Sequence, residues 1–222
     1  MNAPDATASR VTVPVPLPTG RRAVLYAVRT IGDVTVDDVA SYLGITISGA
    51  RQHLSALTED GLVASTEVPR TSRGRPRLTY HATELADALF PKAYAALTND
   101  LLGYLAEDDS EAIDRLFARR RDDRIANAQL RLAGRRTLAA KVDELARILD
   151  EDGYVATAER VGRDRFRLVE HNCAITEVAR RYGQACSSEI EFIRTVLPDA
   201  RVERTSHIID GARHCAYEIT RS

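Results

Sequence analysis

Residues 46–53, Thr-Ile-Ser-Gly-Ala-Arg-Gln-His, decide the fold of the amino-terminal part of this chain. They predict a helix that begins at Thr46 or Ser48 and ends at the Asp60-Gly61 pair. The inward face of this helix is expected to carry Ala50, Leu54 and Leu57. The opposite face is polar, and its small side chains near the start would let another molecule approach the backbone closely.

A shorter helix is predicted directly before this one, over residues 36–42, with Thr35 as its N-cap. Leu43-Gly44-Ile45 forms the turn between the two helices, and residues 21–31 predict a further helix upstream. Two short helices joined by a tight turn that contains glycine are the signature of the helix-turn-helix motif.

Two strands, predicted at 62–68 and 78–81, flank a tip that is rich in glycine, proline and arginine. Residues 68–81 contain four arginines and no acidic residue, so this stretch carries a charge of +4 although the whole chain carries −1. The distribution of charge is therefore more informative than its total. The strands and their basic tip predict the wing of a winged helix-turn-helix.

Such a unit suits double-stranded operator DNA. Arginine and glutamine at the start of a recognition helix can read base edges in the major groove, and guanidinium groups on an extended tip suit the minor groove or phosphates. The predicted DNA-binding residues are Thr46, Ser48, Gly49, Arg51, Gln52 and Ser55 on the helix, and Arg73, Arg75 and Arg77 on the wing. The alternative is a helical scaffold with an incidental basic loop.

The remainder of the chain predicts central helices followed by a C-terminal domain of order β-β-α-α-β-β, so the fold class is α+β. Central helices are expected over 83–107, with a break at Pro91, from Ser110 towards Leu132, and over 136–152. The last of these helices has one apolar stripe: Leu138, Val142, Leu145 and Leu149. Because little else is available to cover the stripe, part of it is expected to face a second subunit in a homodimer.

Four regions follow from these patterns. They are a disordered arm (1–19), the winged helix-turn-helix (20–82), a helical dimerisation region (83–152) and a cysteine-containing sensor domain (153–222). No apolar run approaches the roughly 20 residues that a membrane span needs, and prolines interrupt the apolar start of the chain. An odd number of cysteines with no export signal favours the reducing cytoplasm.

Cys173, Cys186 and Cys215 are the only cysteines among the 222 residues. Cys215 is predicted to share the inward face of a strand with Tyr217 and Ile219. Cys186 is predicted on the inward face of a helix, and Cys173 at a turn between a strand and a helix. All three thiols can therefore reach one interior point.

The spacing alone leaves the role of these cysteines open. Free cysteine is among the most buried residue types and needs no function. If the thiols bind metal, they lack the local C-x₂-C spacing of structural zinc, and an iron–sulfur cluster would need a fourth ligand, for which His171, His207 and Glu189 are candidates. A cysteine beside His171 could also be a nucleophile, but no phosphate loop or general-base pair accompanies it, so no catalytic residue is predicted.

The chain resembles SufR, the family of winged-helix repressors of iron–sulfur-cluster assembly genes. The resemblance runs from about residue 21 to the C-terminus. It is carried by Ala50 to Leu57, Glu59 to Leu62, Gly74-Arg75-Pro76 with Tyr80, Phe90-Pro91 with Tyr94, His171 to Ile175, Cys186 with Glu189, Asp210-Gly211, His214-Cys215 and Tyr217. One departure is Arg51-Gln52-His53, where some relatives carry Arg-Arg-His, so the preferred bases can differ.

The resemblance implies a homodimer with a [4Fe-4S] cluster in each C-terminal domain, held by Cys173, Cys186 and Cys215. It also implies that the protein represses its operator while the cluster is bound and releases DNA when the cluster is lost or oxidised. A regulator of the same architecture that senses zinc, haem or thiol redox state through these cysteines is the alternative.

Overall fold

The computed structural model describes residues 17–69 and 77–222 of the chain. The chain divides into two compact units, Met1–Lys92 and Ala93–Ser222. The arm predicted for residues 1–19 lies almost wholly outside the described residues, as do Arg73 and Arg75 of the predicted wing tip. The mixed α+β class is as predicted.

The first unit is a winged helix-turn-helix, which confirms that prediction. It contains α1 (Thr19–Ile31), α2 (Val36–Leu43), α3 (Ile47–Glu59), β1 (Val63–Val68), β2 (Arg77–Ala82) and α4 (Glu84–Asp87). The two strands form an antiparallel hairpin in which Val63 lies opposite Ala82 and Val68 opposite Arg77. An isolated bridge between Val34 and Tyr80 ties the hairpin to the segment before α2.

Local sequence explains where the two helices of the motif begin and end. The Thr35 hydroxyl accepts a hydrogen bond from the Asp38 backbone N–H, and the Asp38 carboxylate accepts one from the Thr35 N–H, which is a reciprocal capping box. Gly44 ends α2 at a φ of +65°, a conformation that favours glycine. Thr46 then caps α3 by accepting a hydrogen bond from the Gly49 N–H.

The second unit contains a four-stranded antiparallel sheet and five α-helices. Its elements are α5 (Tyr94–Asp108), α6 (Ala112–Leu132), α7 (Leu138–Leu149), a π-helical turn (Asp150–Tyr154), β3 (Ala156–Arg160), β4 (Arg165–Glu170), α8 (Thr176–Ala179), α9 (Gln184–Val196), β5 (Ala200–Ser206) and β6 (Cys215–Arg221). The strand order in the sheet is β3-β4-β6-β5. The predicted break at Pro91 is confirmed, because α4 ends at Asp87 and α5 begins at Tyr94.

Helices cover the apolar side of this sheet. α7 packs on β3 and β4, α9 packs on β5, and α6 packs against both α7 and α9. Every second residue of β4 and β6 faces inward, so Leu168, Tyr217 and Ile219 are almost completely buried, and at the start of β6 Ala216 is buried as well. Within the predicted dimerisation region, α5, α6 and α7 thus belong to the same compact unit as the sheet, whereas α4 belongs to the first unit.

The expectation that the apolar stripe of α7 faces a second subunit is wrong. Val142, Leu145 and Leu149 are fully buried and Leu138 is nearly so, all within one hydrophobic core that includes residues of the chain's own sheet. The sheet supplies the surface that the helices alone lack. None of the helices in the described residues combines the length and the apolar character of a membrane span.

Candidate functional site: an exposed recognition helix and a group of buried thiols

One face of α3 is open to solvent and carries the residues predicted to contact DNA. Thr46, Ser48, Arg51, Gln52 and Ser55 are exposed, and Gly49 is partly buried. The opposite face is fully buried in the core of the first unit through Ala50, Leu54 and Leu57. The rigid core therefore fixes the direction in which the polar face points.

Two further residues of α3 differ in exposure. Ile47, at the first position of α3, is 48% exposed and lies beside the predicted DNA-contacting residues. A β-carbon at Gly20 would lie 3.0 Å from Nε2 of His53, so the imidazole packs closely on the first turn of α1. His53 is thus a packing residue in this structure.

Arg77 has a structural contact at the base of the wing. Its Nη2 donates a hydrogen bond to the Thr35 hydroxyl at 2.8 Å and lies 3.9 Å from Oδ2 of Asp38. The hydrogen bonds from Thr35, together with the charge of Arg77, lower the pKa of Asp38 below its usual value. The predicted contact of Arg77 with DNA stays a prediction, as do those of Arg73 and Arg75, which lie outside the described residues.

The three cysteines lie on the three kinds of element that the sequence predicts. Cys173 is in the segment between β4 and α8, Cys186 is in the first turn of α9, and Cys215 is the first residue of β6. Cys215 is buried, whereas Cys173 and Cys186 are partly buried, and all three are free thiols. The Cys215 Sγ accepts a hydrogen bond from the Ile208 N–H at 3.4 Å.

The fold brings these thiols into one region, where their charges influence one another. Burial raises the pKa of Cys186, and the charge of Cys173 acts in the same direction. Burial also raises the pKa of Cys215 to about 11, and Glu170 and Cys173 both contribute to the rise. Glu170 lies directly opposite Cys215 in the register of β4 and β6.

Two buried carboxyl groups accompany the thiols. Burial, and then the negative charge of Glu189, raise the pKa of Glu170 to about 8. Glu170 Oε2 accepts a hydrogen bond from the Tyr217 hydroxyl at 3.4 Å, and Glu189 Oε2 accepts from Arg124 at 2.6 Å and from Tyr154 at 3.3 Å. The Oε1 atom of each glutamate is buried without a hydrogen-bond partner in the described part of the chain.

Arg204 brings positive charge to the same region. Its Nη2 donates a hydrogen bond to the carbonyl of Cys186 at 2.5 Å, and its guanidinium carbon lies 5.5 Å from the centroid of the Tyr217 ring. The charge of Arg204 opposes the effect of burial on the pKa of Cys186 and Cys215. Its Nε is buried and has no hydrogen-bond partner among residues 17–69 and 77–222.

The candidates for a fourth ligand are all engaged with other residues. The His171 Nε2 lies 2.9 Å from the Thr157 hydroxyl, and His207 Nδ1 lies 3.0 Å from Asp210 Oδ2. Glu189 is paired with Arg124, although its Oε1 points to no partner. Within the described ranges, no three His, Cys, Asp or Glu side chains are placed so that they could hold a metal ion.

Residues 19–65 match the family model described as bacterial regulatory protein, arsR family. These residues are therefore similar to the helix-turn-helix domain of ArsR-family regulators. The model describes bacterial regulatory proteins, and its match covers the helix-turn-helix of the first unit. Comparison with curated proteins gives no match.

Two solved structures are similar to parts of the chain. One is a trafficking protein particle complex subunit 3 from Naegleria fowleri covalently bound to palmitic acid, with 11% identity, 58% of this chain and 93% of that chain covered, and a TM-score of 0.39. The other is Bacillus subtilis PadR in complex with operator DNA, with 18% identity, 61% and 92% coverage, and a TM-score of 0.27. With TM-scores below 0.5, neither similarity defines the fold of this chain.

The raised pKa of Glu170 predicts how the stability of the metal-free protein depends on pH. A folded-state pKa of about 8, above the usual value of 4.5, means that the folded chain binds a proton that the unfolded chain has released. Stability should therefore be greatest below the unfolded pKa and fall by about 1.4 kcal/mol per pH unit as the pH rises towards 8.

Urea unfolding of the wild type and Glu170→Gln at several pH values measures this dependence. Between about pH 5 and pH 8, the stability of Glu170→Gln should change much less than that of the wild type. The control variant Glu203→Gln, at an exposed position of β5, should show the same fall in stability as the wild type. Equal pH dependence in all three proteins would show that Glu170 is not a neutral, buried acid.

Proposed function

We propose that the chain is an iron–sulfur-cluster-dependent transcriptional repressor that binds operator DNA of iron–sulfur-cluster assembly genes. The observation that carries this proposal is the grouping of Cys173, Cys186 and Cys215 beside buried polar atoms that lack partners. The ArsR-family domain supplies the DNA-binding part. The SufR-like residues around each cysteine support the choice of cofactor and of target genes.

The chemistry of the donor set fits an iron–sulfur cluster. Three cysteines from a turn, a helix and a strand offer three thiolates, and iron–sulfur clusters are held mainly by thiolates. Cys186 and Cys215 are protonated at neutral pH in the metal-free protein because burial raises the pKa of each, so metal binding would release their protons. The guanidinium of Arg204 would compensate the negative charge that these thiolates carry.

The unpartnered buried atoms also fit this proposal. A buried polar atom without a hydrogen bond costs about 1–3 kcal/mol. Three such atoms lie near the thiols, namely Oε1 of Glu170, Oε1 of Glu189 and Nε of Arg204, and together they indicate a missing partner. Nε of Arg204 is a donor and can bond a sulfide or a thiolate sulfur. Oε1 of Glu189 is an acceptor and can complete the coordination of an iron that lacks a fourth cysteine, and we propose Glu189 for that role.

The sensing step follows from the elements that carry the ligands. When bound, the cluster supplies covalent links between sulfurs and iron, which oxidants or iron scarcity remove. In the cluster-bound protein, the three cysteines would hold together the turn before α8, the start of α9 and the start of β6. Without the cluster, this link between the three elements would be absent. Release of the turn would change the geometry of a dimer whose recognition helices must lie about one DNA turn (~34 Å) apart.

The surface that we propose for the dimer is α5. Its exposed side carries Tyr94, Leu97, Leu101 and Tyr104, spaced alternately three and four residues apart as in the seam of paired helices. The other side of α5 contacts α8, because the Asn99 side chain donates a hydrogen bond to the Glu177 carbonyl at 3.1 Å. The helix that would pair the two copies is thus bonded to the segment that follows Cys173.

The same cysteines are less suited to zinc or to a thiol-redox switch. Zinc draws its ligands to about 2.0–2.3 Å from one ion, and the described residues contain no group of three side chains so placed. A [4Fe-4S] cluster is larger than a single ion and would hold its thiolate ligands further apart than one zinc ion does. Redox-active cysteines need a low pKa, whereas burial raises the pKa of both Cys186 and Cys215.

Reconstitution tests the cluster ligands. Wild-type protein treated with ferrous iron and sulfide without oxygen should turn brown and retain about four irons and four sulfides per chain. Cys173→Ser, Cys186→Ser and Cys215→Ser should each lose most of this iron, whereas Ser187→Ala, an exposed neighbour on α9, should retain it. Full iron and sulfide in all three serine variants, or a colourless wild type that binds zinc instead, would refute the assignment.

Substitution in α3 tests the DNA interface. With duplex DNA selected by this protein from a random-sequence library, Arg51→Ala should weaken binding by about 1–3 kcal/mol while binding to unselected DNA changes little. Arg163→Ala, in the turn between β3 and β4, is the control with the same charge change and should bind as the wild type. If Arg51→Ala and Arg163→Ala bind the selected duplex equally well, α3 does not read the bases.

A charge in the middle of the α5 surface tests the dimer. Leu101→Glu should convert dimers to monomers in sedimentation velocity experiments, because two buried carboxylates would face each other across the seam. Leu130→Glu changes a residue of α6 that is 80% exposed and should remain dimeric. A Leu101→Glu protein that is still fully dimeric would place the interface elsewhere.

A further inference from the structure

The second unit contains a cavity whose lining is not explained by DNA binding or by the group of thiols. It has a volume of about 570 Å³ and lies between α5, α6 and the segment from Cys173 to Val178. This volume is within the range of about 300–1,000 Å³ that is typical of small-molecule sites. Most of its wall is apolar and is formed by Ala95, Leu102, Leu116, Phe117, Ile175 and Val178.

Arg120 gives this apolar cavity a positive charge. It lies four residues after Leu116 and three after Phe117, so the three side chains share one face of α6. The Arg120 side chain is partly buried and makes no ion pair or side-chain hydrogen bond within the described residues, whereas Arg121 and Arg124 on the same helix are both paired with carboxylates. The cavity therefore contains a cation whose counter-ion is not supplied by the described part of the chain.

The acidic residue in the cavity wall does not provide that counter-ion. Glu177 lines the cavity, but its carboxylate accepts a hydrogen bond from Arg180 at 2.7 Å. Tyr94, Thr98 and Thr176 are neutral polar residues of the lining, and the Thr176 hydroxyl donates to the Cys173 carbonyl at 2.8 Å. Cys173 itself forms part of the wall and is partly exposed to the space inside.

We propose that this cavity binds a small apolar monoanion, of which a medium-chain carboxylate is the simplest example. Its hydrocarbon part would contact Leu102, Phe117 and Ile175, and its carboxylate would pair with the guanidinium of Arg120. Arginine and carboxylate form two parallel hydrogen bonds, which are strong where water is partly excluded. The occupant would cover the thiol of Cys173, so this site goes beyond the proposed function and would give the regulator a second input.

Titration of the cluster-free full chain with three ten-carbon probes tests the charge preference. Decanoate should bind and raise the melting temperature, whereas decan-1-ol and decylamine should bind at least tenfold more weakly. Arg120→Gln should weaken decanoate binding at least tenfold without changing the binding of decan-1-ol. Arg119→Gln, the adjacent exposed arginine, is the matched control and should bind decanoate as the wild type does.

Two further measurements distinguish this site from general adsorption. Ala95→Phe fills the cavity and should abolish decanoate binding while circular dichroism shows a folded protein. Saturating decanoate should slow the alkylation of Cys173 by N-ethylmaleimide at least fivefold, as measured by peptide mass spectrometry, in the wild type and not in Ala95→Phe. Equal binding of decanoate by Arg120→Gln and the wild type, no binding by the wild type, or unprotected Cys173 would each overturn the proposal.

Discussion

The burial of ionisable and polar groups in an apolar interior is the constraint on which the second unit depends. An apolar interior disfavours ions, so Glu170 is neutral at pH 7 because burial and the charge of Glu189 raise its pKa to about 8. Glu189 remains paired with Arg124, and Arg204 contacts Cys186 and Tyr217. A core built for stability alone would place apolar residues at these positions, because breaking or leaving such groups unsatisfied is strongly unfavourable.

The buried glutamates lie next to the thiols on the same secondary-structure elements. Cys215 and Glu170 are register partners at the same end of β6 and β4, and Cys186 and Glu189 are one turn apart on α9. The segment after Cys173 is bonded to α5 through Asn99. A change at the thiols can therefore reach α5 through a short series of contacts within one compact unit. In the first unit, the fully buried face of α3 likewise fixes the direction of its exposed face.

The sequence predicts the elements well where local chemistry decides them. The capping box at Thr35, the glycine turn at Gly44 and the inward face that Cys215, Tyr217 and Ile219 share on β6 are all set within a few residues, and the structure has each of them. The sequence does not predict contacts between distant elements. The stripe of α7 is apolar as predicted, but only the strand order shows that its own sheet covers it, and the grouping of Glu170 with Glu189 has no local signal at all.

The central proposal is that binding of an iron–sulfur cluster is coupled to binding of DNA. The most direct test is the affinity for one library-selected duplex, measured without oxygen and at one salt concentration, for the same preparation with its cluster and after chelation. A coupling of about 1–3 kcal/mol predicts that the loaded protein binds roughly 5–150-fold more tightly. Equal affinities in the two states would contradict the account and leave a DNA-binding regulator that does not sense a cluster.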